Sequence, residues 1–258
     1  MPHTELHPLG LFDHDRRTVF LAYSDVPASG YDHSFGGNPS DCDLTFTGPA
    51  IPLHLLFRLD LSDPRIGIDI PGVRWLPLCY GFGFGGGHTA YLVRSDTLVE
   101  TLEPVDECFD PHFPYPDYPQ SFPNHPLGLI EREYDPSDVD DALAFSAVFG
   151  LGGLSPASRT LAIARLEKHD FFEEVDAFEM TKDQFLDTCE YPFIQGPPES
   201  QCPNPDCATD SQDGAMVVFS LLDGDPVPDV SLFGDLGVQF IFQICLSCRC
   251  SRVSNQCT

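Results

Sequence analysis

The chain reads as an α+β protein, mainly antiparallel β, with its helical signals confined to the middle. Three observations carry this reading. Apolar, strand-like runs recur at 18–23, 53–61, 73–80 and 90–93, and again at 216–221 and 238–244. Turn-forming clusters of Gly, Pro, Asn and Asp separate them. Helix start signals occur between 138 and 190 alone, so the regular strand–helix alternation of a doubly wound sheet is missing. The expected organisation is a β-rich N-terminal half over 1–130, a helical segment over 131–190, and a β-rich C-terminal half over 191–258.

The N-terminal elements follow from local pattern. Leu53–Leu61 mixes alternation with a continuous apolar centre, as a buried strand does. Phe35-Gly36-Gly37-Asn38-Pro39 is a turn. Val73–Tyr80 and Ala90–Val93 flank Gly81-Phe82-Gly83-Phe84-Gly85-Gly86-Gly87-His88, and the pair reads as a hairpin with a long glycine-rich loop. That loop lacks the Gly-Lys-Ser/Thr ending of a phosphate-binding loop, and a strand, not a helix, follows it, so it is not a phosphate cradle. Residues 104–126 carry seven prolines and cannot form a helix interior; they read as an extended surface connection. From Asp96 to Asp141 thirteen acids face one cation, Arg132, which makes this stretch the candidate acidic patch.

In the middle, Ser155-Pro156 supplies an N-cap with proline at the first helical position, followed by Leu161, Ala164, Arg165 and Leu166 at helical spacing. Thr181-Lys182-Asp183-Gln184 is a capping box opening a helix through Phe185, Leu186 and Cys189. A weaker helical stretch spans Asp138–Phe149. Beyond Tyr191 the pattern returns to strands. Val238, Phe240, Phe242 and Ile244 alternate with Gln239, Ile241 and Gln243, as in a half-buried strand.

The last sixty residues hold the sharpest motif. Cys202-Pro203-Asn204-Pro205-Asp206-Cys207 and Cys245-Leu246-Ser247-Cys248 are two short cysteine knuckles separated by 37 strand-rich residues. Tetrahedral zinc takes four thiolates, and two such knuckles joined by strands make a zinc ribbon. The expected ligands are Cys202, Cys207, Cys245 and Cys248, with Cys250 and Cys257 as alternatives for the fourth place. An all-sulfur site has no open position and is structural, not catalytic. With little core of its own, the ribbon is expected to draw much of its folding energy from the metal. A Gly-Pro loop, a cysteine and an apolar run occur in the same order around 35–61 and 193–221, an echo that suggests a duplicated arrangement.

Composition limits the partners. The chain has 258 residues, 42% of them hydrophobic, enough for a full core. No apolar run reaches membrane-spanning length, and the N-terminus lacks the basic and apolar regions of a secretion signal. Cytoplasmic location is the expectation, and ten cysteines then point to metal before disulfides. Thirteen Lys and Arg against forty Asp and Glu give a net charge of −27. Such a surface repels nucleic-acid phosphates and anionic membranes, and it attracts a basic protein.

Catalytic spacing is weak. His54 and His88 lie among strands with many carboxylates in the chain, which leaves a hydrolase or similar enzyme as the alternative to a binding module. Neither belongs to a paired-histidine or nucleophile motif. Cys79 and Cys189 read as core thiols.

Phe193-Ile194-Gln195-Gly196, the knuckle Cys202…Cys207, Phe233-Gly234-Asp235-Leu236-Gly237 leading into Val238–Phe242, and Ser254-Asn255-Gln256-Cys257 together resemble the C-terminal half of the YwqG-like family of uncharacterised bacterial proteins. Leu55–Leu61 with Leu76-Pro77-Leu78 resembles that family's N-terminal strand and turn. The same arrangement resembles the family of programmed cell death protein 2. Trp75-Leu76-Pro77 with Gly85-Gly86-Gly87 and Tyr91-Leu92-Val93 resembles, more faintly, the core motif of SUKH-type immunity proteins. These resemblances imply an α+β fold, no catalytic residues, and a role in binding a basic client or a toxin.

Overall fold

The computed structural model describes residues 17–23, 30–48, 53–82, 88–102, 119–133, 135, 137–138, 140, 150–168, 181–189, 199–208, 216–223, 227, 230, 232 and 238–257. One compact unit is built from Val19–Ile130 together with Glu199–Cys257, and a second from Glu131–Pro198.

Among the described residues there are eleven strands: β1 (Arg17–Tyr23), β2 (His33–Phe35), β3 (Thr45–Thr47), β4 (His54–Asp60), β5 (Trp75–Tyr80), β6 (His88–Ser95), β7 (Leu98–Thr101), β8 (His125–Glu133), β9 (Met216–Asp223), β10 (Val238–Cys245) and β11 (Cys250–Cys257). They form a five-stranded sheet ordered β1-β8-β2-β4-β5 and a six-stranded sheet ordered β3-β7-β6-β11-β10-β9. The second sheet mixes chain ends: β11 pairs antiparallel with β6, setting Cys250 opposite Leu92. The N-terminal and C-terminal β-rich stretches thus share one sheet. The short pair β3–β7 is parallel, and the other registered pairs are antiparallel.

The two sheets stack through aromatic side chains. Phe57 of β4 meets Phe242 of β10 edge-to-face at 6.2 Å, and Tyr80 of β5 meets Phe240 at 4.7 Å. Such crossings add about 1 kcal/mol each to the burial of large apolar surfaces. Tyr91 of β6 also reaches across: its hydroxyl accepts from Cys79 N at 2.9 Å and donates to Pro77 O at 3.2 Å, satisfying backbone of β5 inside the core. The expected hairpin over 73–93 is therefore corrected. Both flanking strands are apolar, and stacking them in facing sheets lets Tyr91 and β5 bury each other, which neighbours in one sheet cannot do. Residues 83–87 of the intervening loop lie outside the described residues.

Two further expectations are corrected. Strand β10 is buried on both sides, not half-buried: Ile241 and Gln243 are as enclosed as Phe240 and Phe242. It lies between β9 and β11, with the knuckle segment of 199–208 over one face. The end of the proline-rich connection is not all surface either. Phe122 is 4% exposed and packs against Phe35 at 5.7 Å, while Gly37 N donates to Phe122 O. Residues 103–118 of that connection lie outside the described residues.

In the second unit, α1 (Pro156–Lys168) begins as its cap signal implies: Ser155 Oγ accepts from Ser158 N at 3.2 Å. Its buried stripe is Ser158, Ala162 and Leu166, one residue in four, and Ala164 is exposed. Helix α2 (Lys182–Thr188) carries the expected capping box, with Thr181 and Gln184 bonded reciprocally. A small core of Leu151, Ala162, Leu154, Leu161, Ile163, Leu186 and Cys189 joins the two helices. Of the third helical stretch, Asp140 is helical and 141–149 lie outside the described residues.

Candidate metal centre

Alternation along the strands of the six-stranded sheet gives β10 and β11 two distinct faces. Phe240, Phe242, Ile244 and Val253 point into the aromatic core between the sheets. At the hairpin end, the opposite face carries a row across four strands: Met216 of β9, Cys245 of β10, Cys250 of β11 and Leu92 of β6. The knuckle of residues 202–207 packs on that row, its cysteines half-buried against it.

Each knuckle is closed by backbone geometry. In the first, Cys207 N donates to Asn204 O at 3.0 Å, and Asn204 Oδ1 accepts from Asp206 N at 3.2 Å, an Asx turn followed by a short loop. The second continues from β10: Arg249 N donates to Cys245 O at 2.8 Å, with Arg249 in the left-handed region at φ 63°. Four sulfurs converge as a result. Cys202, Cys207, Cys245 and Cys248 hold their Sγ atoms within 4.8 Å of one another, with Cys202–Cys248 at 3.5 Å and Cys207–Cys245 at 3.7 Å. Residues that sequence spacing brings into two pairs are thus gathered into one group able to hold a metal ion.

The fourth position falls to Cys248. Cys250 is fully buried beneath the group, and the four sulfurs that converge are those of Cys202, Cys207, Cys245 and Cys248. Cys257 pairs with Val238 at the far end of the β10–β11 hairpin, seven residues along the strand from Cys250. That is about 23 Å at strand rise, too far to reach the group. Burial also pushes the Cys202 and Cys248 thiols above their ordinary value. Without a cation, thiolates there are disfavoured; a bound metal supplies the missing charge.

The first knuckle is tied to the sheet by a polar pad on the same face. Arg252 of β11 donates through Nη1 to Glu199 O at 3.0 Å and through Nη2 to Gln201 O at 2.5 Å. Gln243, its cross-strand partner, donates to Glu199 O at 2.8 Å. Ser200 O accepts from Met216 N at 2.9 Å. Arg252 was not singled out by sequence; the one signal was a cation two residues past a cysteine in a chain with few cations.

His54 and His88, the candidate acid–base pair, stand in different sheets. His54 is buried between Phe82 and Phe122, at 5.0 and 5.9 Å, and its Nε2 is bonded to Pro119 O at 2.9 Å. Burial lowers its pKa, which keeps it neutral. His88 opens β6 opposite Ser254.

A buried charged cluster elsewhere also escaped the sequence reading. His33, 1% exposed, faces Asp63 at 3.2 Å, and Arg65 forks onto the same carboxylate at 2.6–3.1 Å. Asp60, fully buried, accepts from Arg74, Ser62 and Asp32 N. Burial alone would raise Asp60; the Arg74 fork and the Ser62 bonds outweigh it and hold the carboxyl well below the usual range. Asp63-Pro64 is the N-cap and first position of a short 3-10 turn, a signal that was visible in the sequence. Trp75 lies between the Arg58 and Arg74 guanidiniums at 4.0 and 4.4 Å. Every charge in this cluster has an internal partner, so it reads as a brace for the β4–β5 corner.

No helix among the described residues is long and apolar enough to cross a membrane. Compared with known proteins, the chain matches no family model, no curated protein and no solved structure.

Proposed function

We propose that this protein is a non-enzymatic, acidic binding module for a basic partner, its C-terminal fold stabilised by one structural zinc ion on Cys202, Cys207, Cys245 and Cys248. The observation that carries the reading is a closed, all-sulfur group in a chain of net charge −27. Four sulfurs around one zinc at about 2.3 Å stand about 3.8 Å apart in a regular tetrahedron. The paired spacings of 3.5 and 3.7 Å lie close to that. A zinc ion so enclosed has no open position for a water or a substrate, so its contribution is to folding. The reading places the protein in the cytoplasm, where thiols stay reduced and serve metals.

The charge supplies the binding half. A net −27 draws a cationic protein at long range and speeds association, with a steep dependence on ionic strength, while phosphate-rich surfaces are repelled. The burial of His54 between Phe82 and Phe122, its ring bonded to a backbone carbonyl, is a core role that favours binding over a hydrolase. The resemblance to the family of programmed cell death protein 2 agrees with binding a basic client, and the fainter one to SUKH-type immunity proteins agrees with binding a toxin. The test is affinity capture from source-cell lysate at low salt, followed by rebinding of the captured protein in purified form. A single basic partner whose association slows sharply with added salt supports the proposal. No partner, together with a co-purifying metabolite turned over by the protein, would overturn it.

A further inference from the structure

Arg252 is buried in the middle of β11 with its side chain 5% exposed. A buried guanidinium needs a counter-charge, because the cost of desolvating it is large. Its one ion pair among the described residues is with Glu199 Oε2 at 3.4 Å, and that carboxylate is 78% exposed, where solvent screens it. On the inner side, Arg252 Nε is buried without a hydrogen-bond partner among the described residues. Among the described residues no buried carboxylate balances the cation, whereas Asp60 and Asp63 each take a forked arginine.

The sulfur group lies on the same face. Strand alternation puts Arg252 in line with Cys250, and Gln243, opposite Arg252, in line with Cys245. Arg252 Nη2 is bonded to Gln201 O, the carbonyl next to Cys202. Its electrostatic partners are Glu199 first, then Cys250 and Cys202. Four neutral thiols would leave the cation unbalanced. Four thiolates around one divalent ion carry two net negative charges and balance it.

We propose that Arg252 is the positioning and counter-charge residue of the four-cysteine centre: it fastens segment 199–202 so that Cys202 reaches the centre, and its buried cation offsets the centre's net negative charge. The inference rests on the metal reading above. It also runs the other way, since a buried, unbalanced arginine beside four sulfurs is what a thiolate–metal centre leaves on its neighbours.

The experiment uses the full chain, with Co²⁺ as a spectroscopic probe and Zn²⁺ competed against a chromophoric chelator. Arg252→Met should weaken metal affinity by about 10–100-fold, the range for outer-shell partners of metal sites. Arg252→Lys keeps the charge and should recover most of that loss. Gln243→Leu, which removes one carbonyl bond and no charge, should leave the tetrahedral Co²⁺ spectrum unchanged and cost less affinity than Arg252→Met. The rise in melting temperature on metal loading should shrink in Arg252→Met, beyond any change in the metal-free protein. If Arg252→Met does not fold, Arg252→Gln takes its place with the same expected loss. Equal losses in the Met and Lys variants, wild-type affinity in Arg252→Met, or equal falls in metal-free and metal-loaded melting temperature would overturn the proposal. Wild-type protein that binds neither ion would instead sink the metal reading itself.

Discussion

Arg249 holds φ at 63°, a conformation that costs an ordinary residue about 1 kcal/mol and glycine almost nothing. It tolerates the strain because its backbone is held at both ends, Arg249 N to Cys245 O and Val93 N to Arg249 O. Arg249→Gly should therefore raise stability by up to about 1 kcal/mol in chemical unfolding of the metal-loaded protein, less the added flexibility of glycine in the unfolded chain. A drop would mean the side chain itself contributes to the knuckle. His33 gives a second residue-level expectation. Its Nδ1 accepts from Asp60 N at 3.1 Å, so Nε2 carries the proton toward Asp63 and the ring is neutral. Burial lowers its pKa below 6.5 more than Asp63 and Asp60 raise it, and burial lowers His54 in the same direction. The unfolded chain then binds more protons than the folded one as pH falls through 6.5. Stability is full above that value and declines below it, by at most about 1.4 kcal/mol per pH unit for each histidine. Asp60 and Asp63 are held below 3.8, and their contribution is lost as pH falls under that value. A melting temperature that falls in two acid steps, the first reduced in His33→Gln, is the expected outcome. A flat profile between pH 7 and 5 would contradict it.

At the scale of elements, β2 is followed by Gly36, at φ 66°, where a Cβ would stand 2.3 Å from Pro123 O. The contact is with backbone, which cannot rotate away, so Gly36→Ala should cost about 2–4 kcal/mol in unfolding measurements. The ribbon has more core than its sequence suggests. Strands β9, β10 and β11 belong to the large sheet, and Phe240, Phe242, Ile244 and Val253 are buried in its core. Metal removal should therefore loosen 199–208 and the 245–249 turn while the amides of Phe240–Ile244 stay protected from hydrogen exchange. Equal loss of protection in all of them would support the expectation that the metal supplies much of the C-terminal folding energy. Legibility tracked the source of each signal. Helix caps are local side-chain chemistry, so Ser155 and the Thr181–Gln184 box could be read directly. The four cysteines could be read because thiolate pairs on short turns have few other uses. Strand β11, Cys-Ser-Arg-Val-Ser-Asn-Gln-Cys, is polar in composition and was not recognised; its pairing with β10 and β6 is a long-range fact. The hairpin error at 73–93 has the same origin, since apolar runs do not say which sheet they join.

For the whole molecule, the fold class was legible from the distribution of strand and helix signals, but the mixing of chain ends in one sheet was not, because no local pattern encodes which distant strands pair. The proposed binding role rests on surface charge more than on any one cluster. Asp135, Asp138 and Asp140 are exposed, and Asp141, the fourth acid of that run, lies outside the described residues. Asp140 pairs with Arg165 at 3.0 Å on the surface, where such a pair contributes little. Asp135 accepts from Ser137 N and Oγ, and Asp138 from Asp140 N, bonds that an asparagine oxygen can also accept. Changing all four acids to Asn should thus leave folding almost unchanged, and easing like-charge repulsion should, if anything, raise the melting temperature slightly. Binding should respond in another way. Long-range attraction sets the encounter rate, so the variant should associate with a basic partner more slowly at low salt and approach the wild-type rate at high salt, where screening removes the difference. Stopped-flow or surface-based association rates over a salt series would read this directly. Equal rates at low salt would show that this run of acids is a solvated face, with acidity serving solubility and the partner drawn elsewhere.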